Sequence, residues 1–150
     1  RFDIVRQIDE IVQVYEYLAE EYNIEILTDI TDNLLVTGDR TRLSQVWANL
    51  IDNAIKYNNP NGSLHICGRV DHNHVEISFS DTGIGISKQE IGKIWDRLYR
   101  GDRSRTKPGL GLGLNYVKAV VDAHGGRIDV TSELNRGTTF SVVLEKELAT

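Results

Sequence analysis

Methionine is absent from this 150-residue chain, even at position 1, and cysteine occurs once, at Cys67. The missing methionine points to a piece of something longer. A single cysteine excludes an internal disulfide and is compatible with a reducing compartment. No apolar run approaches the roughly 20 residues that span a bilayer, and no signal-peptide pattern is present. Positive charge is not in excess. The 17 Lys and Arg against 22 Asp and Glu give a formal net charge of −5, which argues against a large nucleic-acid footprint. Internal repeats and low-complexity segments are lacking. So are a Ser-His-Asp order and a Gly-x-Ser-x-Gly elbow, and no Gly-Lys-Ser/Thr occurs for a Walker-type loop. What is there is ordinary for one globular domain: 40 % apolar residues and enough length to bury a sizeable core.

The periodicities then set the elements. Residues 4–22 predict an amphipathic helix, with Ile4, Ile8, Ile11, Val12, Tyr15 and Leu18 at helical spacing. Residues 24–30 predict a strand. Asp39 is a fair N-cap for a helix from Arg40 to about Tyr57, stopped by Asn58-Asn59-Pro60-Asn61-Gly62. Two strands, about Ser63–Val70 and Val75–Ser80, flank Asp71-His72-Asn73-His74 as a hairpin loop. A long loop from Asp81 to Pro108 holds one or two short helices. A helix over Gly111–Ala123 meets a glycine stop at Gly125-Gly126. Residues 127–132 and 138–144 close as a hairpin. This order predicts an α+β fold, a two-layer sandwich with a mixed, mostly antiparallel sheet and its helices on one face.

Four segments carry the chemistry: Asn49-Leu50-Ile51-Asp52-Asn53-Ala54-Ile55-Lys56-Tyr57, Asp81-Thr82-Gly83-Ile84-Gly85, Gly109-Leu110-Gly111-Leu112-Gly113-Leu114 and Gly137-Thr138-Thr139-Phe140. On the helix 40–57 the polar residues Gln45, Asn49, Asn53 and Lys56 fall at spacings of three and four, one stripe on an otherwise apolar cylinder. Amide oxygens there suit a hard cation such as Mg²⁺, and the lysine suits phosphate; a narrow solvated stripe accounts for the same pattern. Asp81 follows a strand and offers a carboxylate to an exocyclic amine such as adenine's, with Gly83 and Gly85 permitting close approach of a flat base. A capping Asp-Thr-Gly turn is the plainer reading. The glycines at 109, 111 and 113 lack the Gly-x-Gly-x-x-Gly spacing of a dinucleotide loop. They read as a flexible loop opening onto a helix N-terminus, where amides favour phosphate, or as a hinge without ligand. The stretch 88–107 is rich in Lys and Arg and bracketed by glycines, the composition of a mobile lid or of a plain solvated loop. The pair His72/His74 and His124 are discounted as metal ligands, and Cys67 reads as a packed strand residue.

Together the segments resemble the catalytic, ATP-binding domain of sensor histidine kinases, a branch of the superfamily that includes gyrase, Hsp90 and MutL. The N box matches Asn49 to Tyr57, the G1 box Asp81 to Ile86, the G2 box Gly109 to Leu114, and the last box Gly137 to Phe140. The F box resembles Ile94 to Arg100, with Trp95 and Leu98 where phenylalanines are usual. The resemblance implies one domain over 1–150. In it Asn49 and Asn53 hold Mg²⁺, Lys56 and Arg100 touch phosphates, Tyr57 packs near adenine, and Asp81 accepts from the adenine amine. Gly111 and Gly113 offer backbone amides. Gly83, Gly85, Ile86, Tyr99, Gly109, Leu112, Thr138 and Thr139 complete the ATP contact set.

The resemblance further implies γ-phosphoryl transfer to a histidine on a separate dimerisation domain, then to the receiver domain of a response regulator. The whole would be a homodimeric, membrane-bound sensor with this segment in the cytoplasm. In the hydrolysing relatives a Glu stands four residues before the Mg²⁺ Asn; here that position is Asn49, which cannot act as a base. None of His65, His72, His74 or His124 has a His-Glu-x-x-Arg context, so the acceptor lies elsewhere. The alternatives are an ATP-hydrolysing clamp or chaperone module and a nucleotide-binding regulatory module without transfer activity.

Overall fold

The computed structural model describes residues 2–30, 34–96 and 113–146. Its elements run β1 (Phe2–Asp3), α1 (Ile4–Glu21), β2 (Glu25–Ile30), β3 (Leu35–Val36), α2 (Arg40–Lys56), β4 (Ser63–Asp71), β5 (His74–Asp81), a short 3₁₀ turn (Ile91–Lys93), α3 (Gly113–Ala123), β6 (Arg127–Glu133) and β7 (Gly137–Glu145). Among the described residues, five strands form one mixed sheet in the order β2-β4-β5-β7-β6, and β1 and β3 form a separate two-stranded ribbon. Only the β2–β4 pairing in the large sheet is parallel; the others are antiparallel.

Strand alternation directs one face of this sheet to the core. Leu64, Ile66, Val75, Ile77, Phe79, Phe140, Val142 and Leu144 are buried, while the residues between them lie on the outer face. The helices cover the inner face. All seven apolar residues read from the sequence of α2 (Leu43, Val46, Trp47, Leu50, Ile51, Ala54, Ile55) are buried. Trp47 stacks on Phe79 with ring centroids 5.9 Å apart, and its indole N–H donates to Gln7 Oε1 at 2.7 Å. The latter bond ties α1 to α2 and satisfies the one polar atom of a fully buried ring.

Asp39 caps α2 as expected: its carboxylate accepts from Arg42 N at 3.0 Å. The structure adds a second tie at this point. His124, at the end of α3, accepts from Asp39 N through Nε2 at 2.9 Å and bonds Val120 O through Nδ1 at 2.7 Å, which places its proton on Nδ1. Gly125 then turns the chain away with φ +70°. Asp39→Ala should cost about 1 kcal/mol through loss of the cap, read as a lowered denaturation midpoint, with α2 still formed.

One element is added and one expectation is corrected. The ribbon β1–β3 is absent from the sequence reading, because two residues per strand show no period. The loop between β4 and β5 is tighter than the four residues expected. Asp71 pairs with His74, leaving His72 and Asn73 as the turn, and His72 adopts φ +53°.

Candidate active site

The carboxylate of Asp81 is held by two backbone amides. It ends β5, the middle strand, and is largely withdrawn from water. Gly83 N donates to Asp81 Oδ1 at 2.8 Å, and Thr138 N donates to the same oxygen at 3.2 Å. Both described donors fall on Oδ1, so Oδ2 is left as the acceptor. Burial pushes the carboxyl up from 3.8 to about 6, against the opposing pull of the two amides.

The glycines beside it serve the protein's own backbone. A Cβ on Gly83 would stand 2.4 Å from the carbonyl oxygen of Tyr57, and one on Gly85, at φ +73°, would stand 2.2 Å from that of Glu133. These close approaches seat the Asp81 turn between the end of α2 and the β6–β7 hairpin. Ile84 N donates to Tyr57 O at 3.0 Å, and Ile86 N donates to Ser132 Oγ at 2.7 Å. Ser132 also bonds Gly137 O and Thr138 Oγ1. The sequence reading missed Ser132, since nothing in a lone strand serine signals that three neighbours converge on it.

The polar stripe runs along α2, whose C-terminal end meets the Asp81 turn where Ile84 N donates to Tyr57 O. Asn53 Oδ1 is buried and has no hydrogen-bond partner among the described residues. Asn49 Oδ1 lies 3.4 Å from where a Cβ would stand on Gly113, so the first turn of α3 meets the amide. Lys56 Nζ lies 3.3 Å from Asp52 Oδ1, a pairing at i,i+4 that the reading of the N box passed over. Gln45, at the far end of the stripe, bonds the Tyr116 hydroxyl. Trp95 of the F box is half-buried and meets Phe140 edge-on, with centroids 6.1 Å apart.

The structure therefore brings Asn49, Asn53, Lys56, Tyr57, Asp81, Gly83, Gly85, Ile86, Gly113 and Thr138 to one side of the sheet. Thr139 is not among them. It points to the outer face, where its hydroxyl bonds Ser80 at 2.9 Å. Tyr99, Arg100, Gly109, Gly111 and Leu112 lie outside the described residues.

The sequence matches the family described as histidine kinase-, DNA gyrase B-, and HSP90-like ATPase over residues 38–148. The chain belongs to this family. Its described fold is that family's α/β sandwich, and among its relatives is the sensor-like histidine kinase SenX3 of Mycobacterium tuberculosis. That protein is 40 % identical over 145 residues, which cover 95 % of this chain and 35 % of SenX3. This member of the ATPase family thus spans about a third of that relative's length. A solved structure of the mycobacterial sensor histidine kinase MprB superposes with a TM-score of 0.87 at 31 % identity, covering 97 % of both chains. Full-length ShkA in complex with AMPPNP superposes at 0.84 and 26 % identity, covering 99 % of this chain and 31 % of that one. The histidine kinase ThkA in complex with the response regulator protein TrrA superposes at 0.81 and 26 % identity, covering 97 % and 41 %. No helix among the described residues is long and apolar enough to cross a membrane.

Proposed function

We propose that residues 1–150 are one ATP-binding domain that binds Mg-ATP in the cleft between α2, β5 and the start of α3. It would then transfer the γ-phosphoryl to a histidine on a separate dimerisation domain. The observation that carries the nucleotide reading is Asp81: a buried carboxylate with one oxygen fixed by two amides and the other left to accept. An exocyclic amine such as adenine's satisfies that acceptor, whereas the carbonyl at the same place in guanine meets it with a lone pair. ShkA, a relative of the same fold, is bound to an adenine nucleotide analogue.

The donor set fits a hard cation. The buried amide oxygen of Asn53 and the neighbouring amide of Asn49 are neutral oxygen ligands, which suit Mg²⁺ shared with phosphate oxygens. Bound there, Mg²⁺ would neutralise charge on the triphosphate. Lys56 lies one turn further along the same face and would exchange its contact with Asp52 for a phosphate. Gly113 opens α3 beside Asn49, and the helix N-terminus favours the phosphate end. Arg100, with Tyr99 and the backbone of Gly109, Gly111 and Leu112, would complete the phosphate side. The domain's work is to hold the γ-phosphoryl in line for a nucleophile and to stabilise its charge.

Asn49 decides between transfer and hydrolysis. An amide cannot take a proton from water at neutral pH, so the attacking group must be supplied, and a histidine of the dimerisation domain supplies it. The complex of ThkA with TrrA supports a response regulator as the next acceptor; a homodimeric sensor with this domain in the cytoplasm belongs to the proposal on the resemblance alone. The test is incubation of the chain with labelled ATP, with and without a histidine-bearing dimerisation domain. Slow turnover alone and an acid-labile phosphohistidine with the partner are expected. Rapid ATP hydrolysis by the chain alone would favour the clamp reading, and ATP binding without either reaction would favour the regulatory module.

A further inference from the structure

The outer face of the sheet, opposite the nucleotide cleft, carries a second cluster of chemistry-bearing side chains. On β4, His65 and Cys67 are two residues apart and so share that face. In the parallel register with β2, Asp29 lies opposite Cys67 and Leu27 opposite His65. The ligand atoms of Asp29, His65 and Cys67 all fall within 4.8 Å of one another, and His65 Nε2 stands 3.4 Å from Cys67 Sγ. Cys67 is only half-buried, so it is not the packed strand residue its alternation with Ile66 indicated.

We propose that Asp29, His65 and Cys67 form a Zn²⁺ site on the solvent face of the β2–β4 pair. The set is one carboxylate oxygen, one imidazole nitrogen and one sulfur, all ordinary zinc ligands. Zn–N near 2.05 Å and Zn–S near 2.3 Å at a tetrahedral angle put nitrogen and sulfur about 3.5 Å apart. The separation in the structure already matches that edge. The three groups come from two strands in fixed register, so they are held by the ladder and not by a loop. Solvent water fills the fourth position. On binding, the Cys67 S–H bond breaks, its proton leaves to solvent and the S–Zn bond forms; His65 contributes its Nε2 lone pair and Asp29 a carboxylate oxygen. Sulfur and nitrogen donors select a borderline-soft ion over Mg²⁺, so the two faces of one sheet would sort two metals. Zinc here would clamp the edge strand β2 to β4.

The site is independent of the nucleotide reading, and it is tested on the untagged 150-residue chain without ATP. Zn²⁺ titration against a chromophoric chelator should give saturable one-to-one binding with proton release, and Zn²⁺ should raise the thermal midpoint. Co²⁺ should give a thiolate-to-cobalt charge-transfer band. Loss of a group that merely orients a ligand costs about 10–100-fold in affinity, so Cys67→Ser and His65→Ala should each weaken Zn²⁺ by more than about 10-fold, and Cys67→Ser should abolish the band. Asp29→Asn should weaken binding and leave the band present. The double variant His72→Ala/His74→Ala should bind as the parent does. His65 and Asp29 are exposed, so their variants should fold even if Cys67→Ser does not. No saturable Zn²⁺ binding, or binding unchanged by His65→Ala and Cys67→Ser, or binding lost in the His72/His74 variant, overturns the proposal.

Discussion

Asp81→Asn is expected to weaken ATP binding and, in the same protein, to stabilise the ligand-free fold. The substitution keeps Oδ1, and with it the bonds from Gly83 N and Thr138 N. It replaces Oδ2 by an amide nitrogen, so a donor faces the adenine amine. Losing one charge-assisted bond costs about 1.5–3 kcal/mol, about 10- to 150-fold in affinity.

The stability change runs the other way. A carboxyl raised from 3.8 to about 6 keeps its proton in the native state at pH values where the unfolded chain has released it. Its stabilising contribution is therefore full below about pH 4 and is lost as pH rises through about 6, a difference of roughly 3 kcal/mol. Asparagine does not titrate, so the variant should lose this slope and be the more stable protein at pH 7. Calorimetric ATP titration and urea midpoints from pH 4 to pH 7 check both halves. A variant that binds ATP as the parent does, or that keeps the parent's pH slope, contradicts the role given to Asp81.

Asn53→Ala should abolish the Mg²⁺ dependence of nucleotide binding without unfolding the domain. Asn53 lies on the polar stripe, so the buried set Leu50, Ile51, Ala54 and Ile55 is untouched. The amide oxygen removed is a buried acceptor with no partner among the described residues, and leaving such a group unmet costs about 1–3 kcal/mol. The midpoint of unfolding should hold or rise. Affinity for Mg-ATP should fall at least as far as when a supporting residue of a metal site is lost, about 10–100-fold, and added Mg²⁺ should no longer tighten binding. Titrations with and without Mg²⁺ that match the parent's would remove Asn53 from the metal site.

Much of this was legible in the sequence because helices state their buried face every third or fourth residue. The apolar set of α2 was readable for that reason, and the Asp39 cap and the Gly125 stop because cap and stop positions favour particular residue types. The Asp81 turn was readable as chemistry, but its partner was not, since Thr138 is 57 residues away and only the β5–β7 register brings it close. The pairing Thr138-Thr139 shows a signal that was present and not used. Adjacent residues on a strand face opposite ways, so both could not line one cleft. Asp52 likewise stands at i,i+4 from Lys56 and is visible on any helical projection. The parallel pairing of β2 with β4, and with it the meeting of Asp29 and Cys67, had no local signal at all.

The position of β5 in the sheet has a further consequence for how the domain opens. It has neighbours on both sides, while among the described residues β2 and β6 are edges. Edge ladders fray by small local fluctuations, whereas the amides of a middle strand exchange with solvent only when the larger cooperative unit gives way. The Asp81 carboxylate therefore hangs from backbone that is paired on both sides, to Leu64 and to Thr138. If the Asp81 turn opens only with this unit, a core substitution far from the turn that lowers overall stability should raise the turn's open population by the same factor.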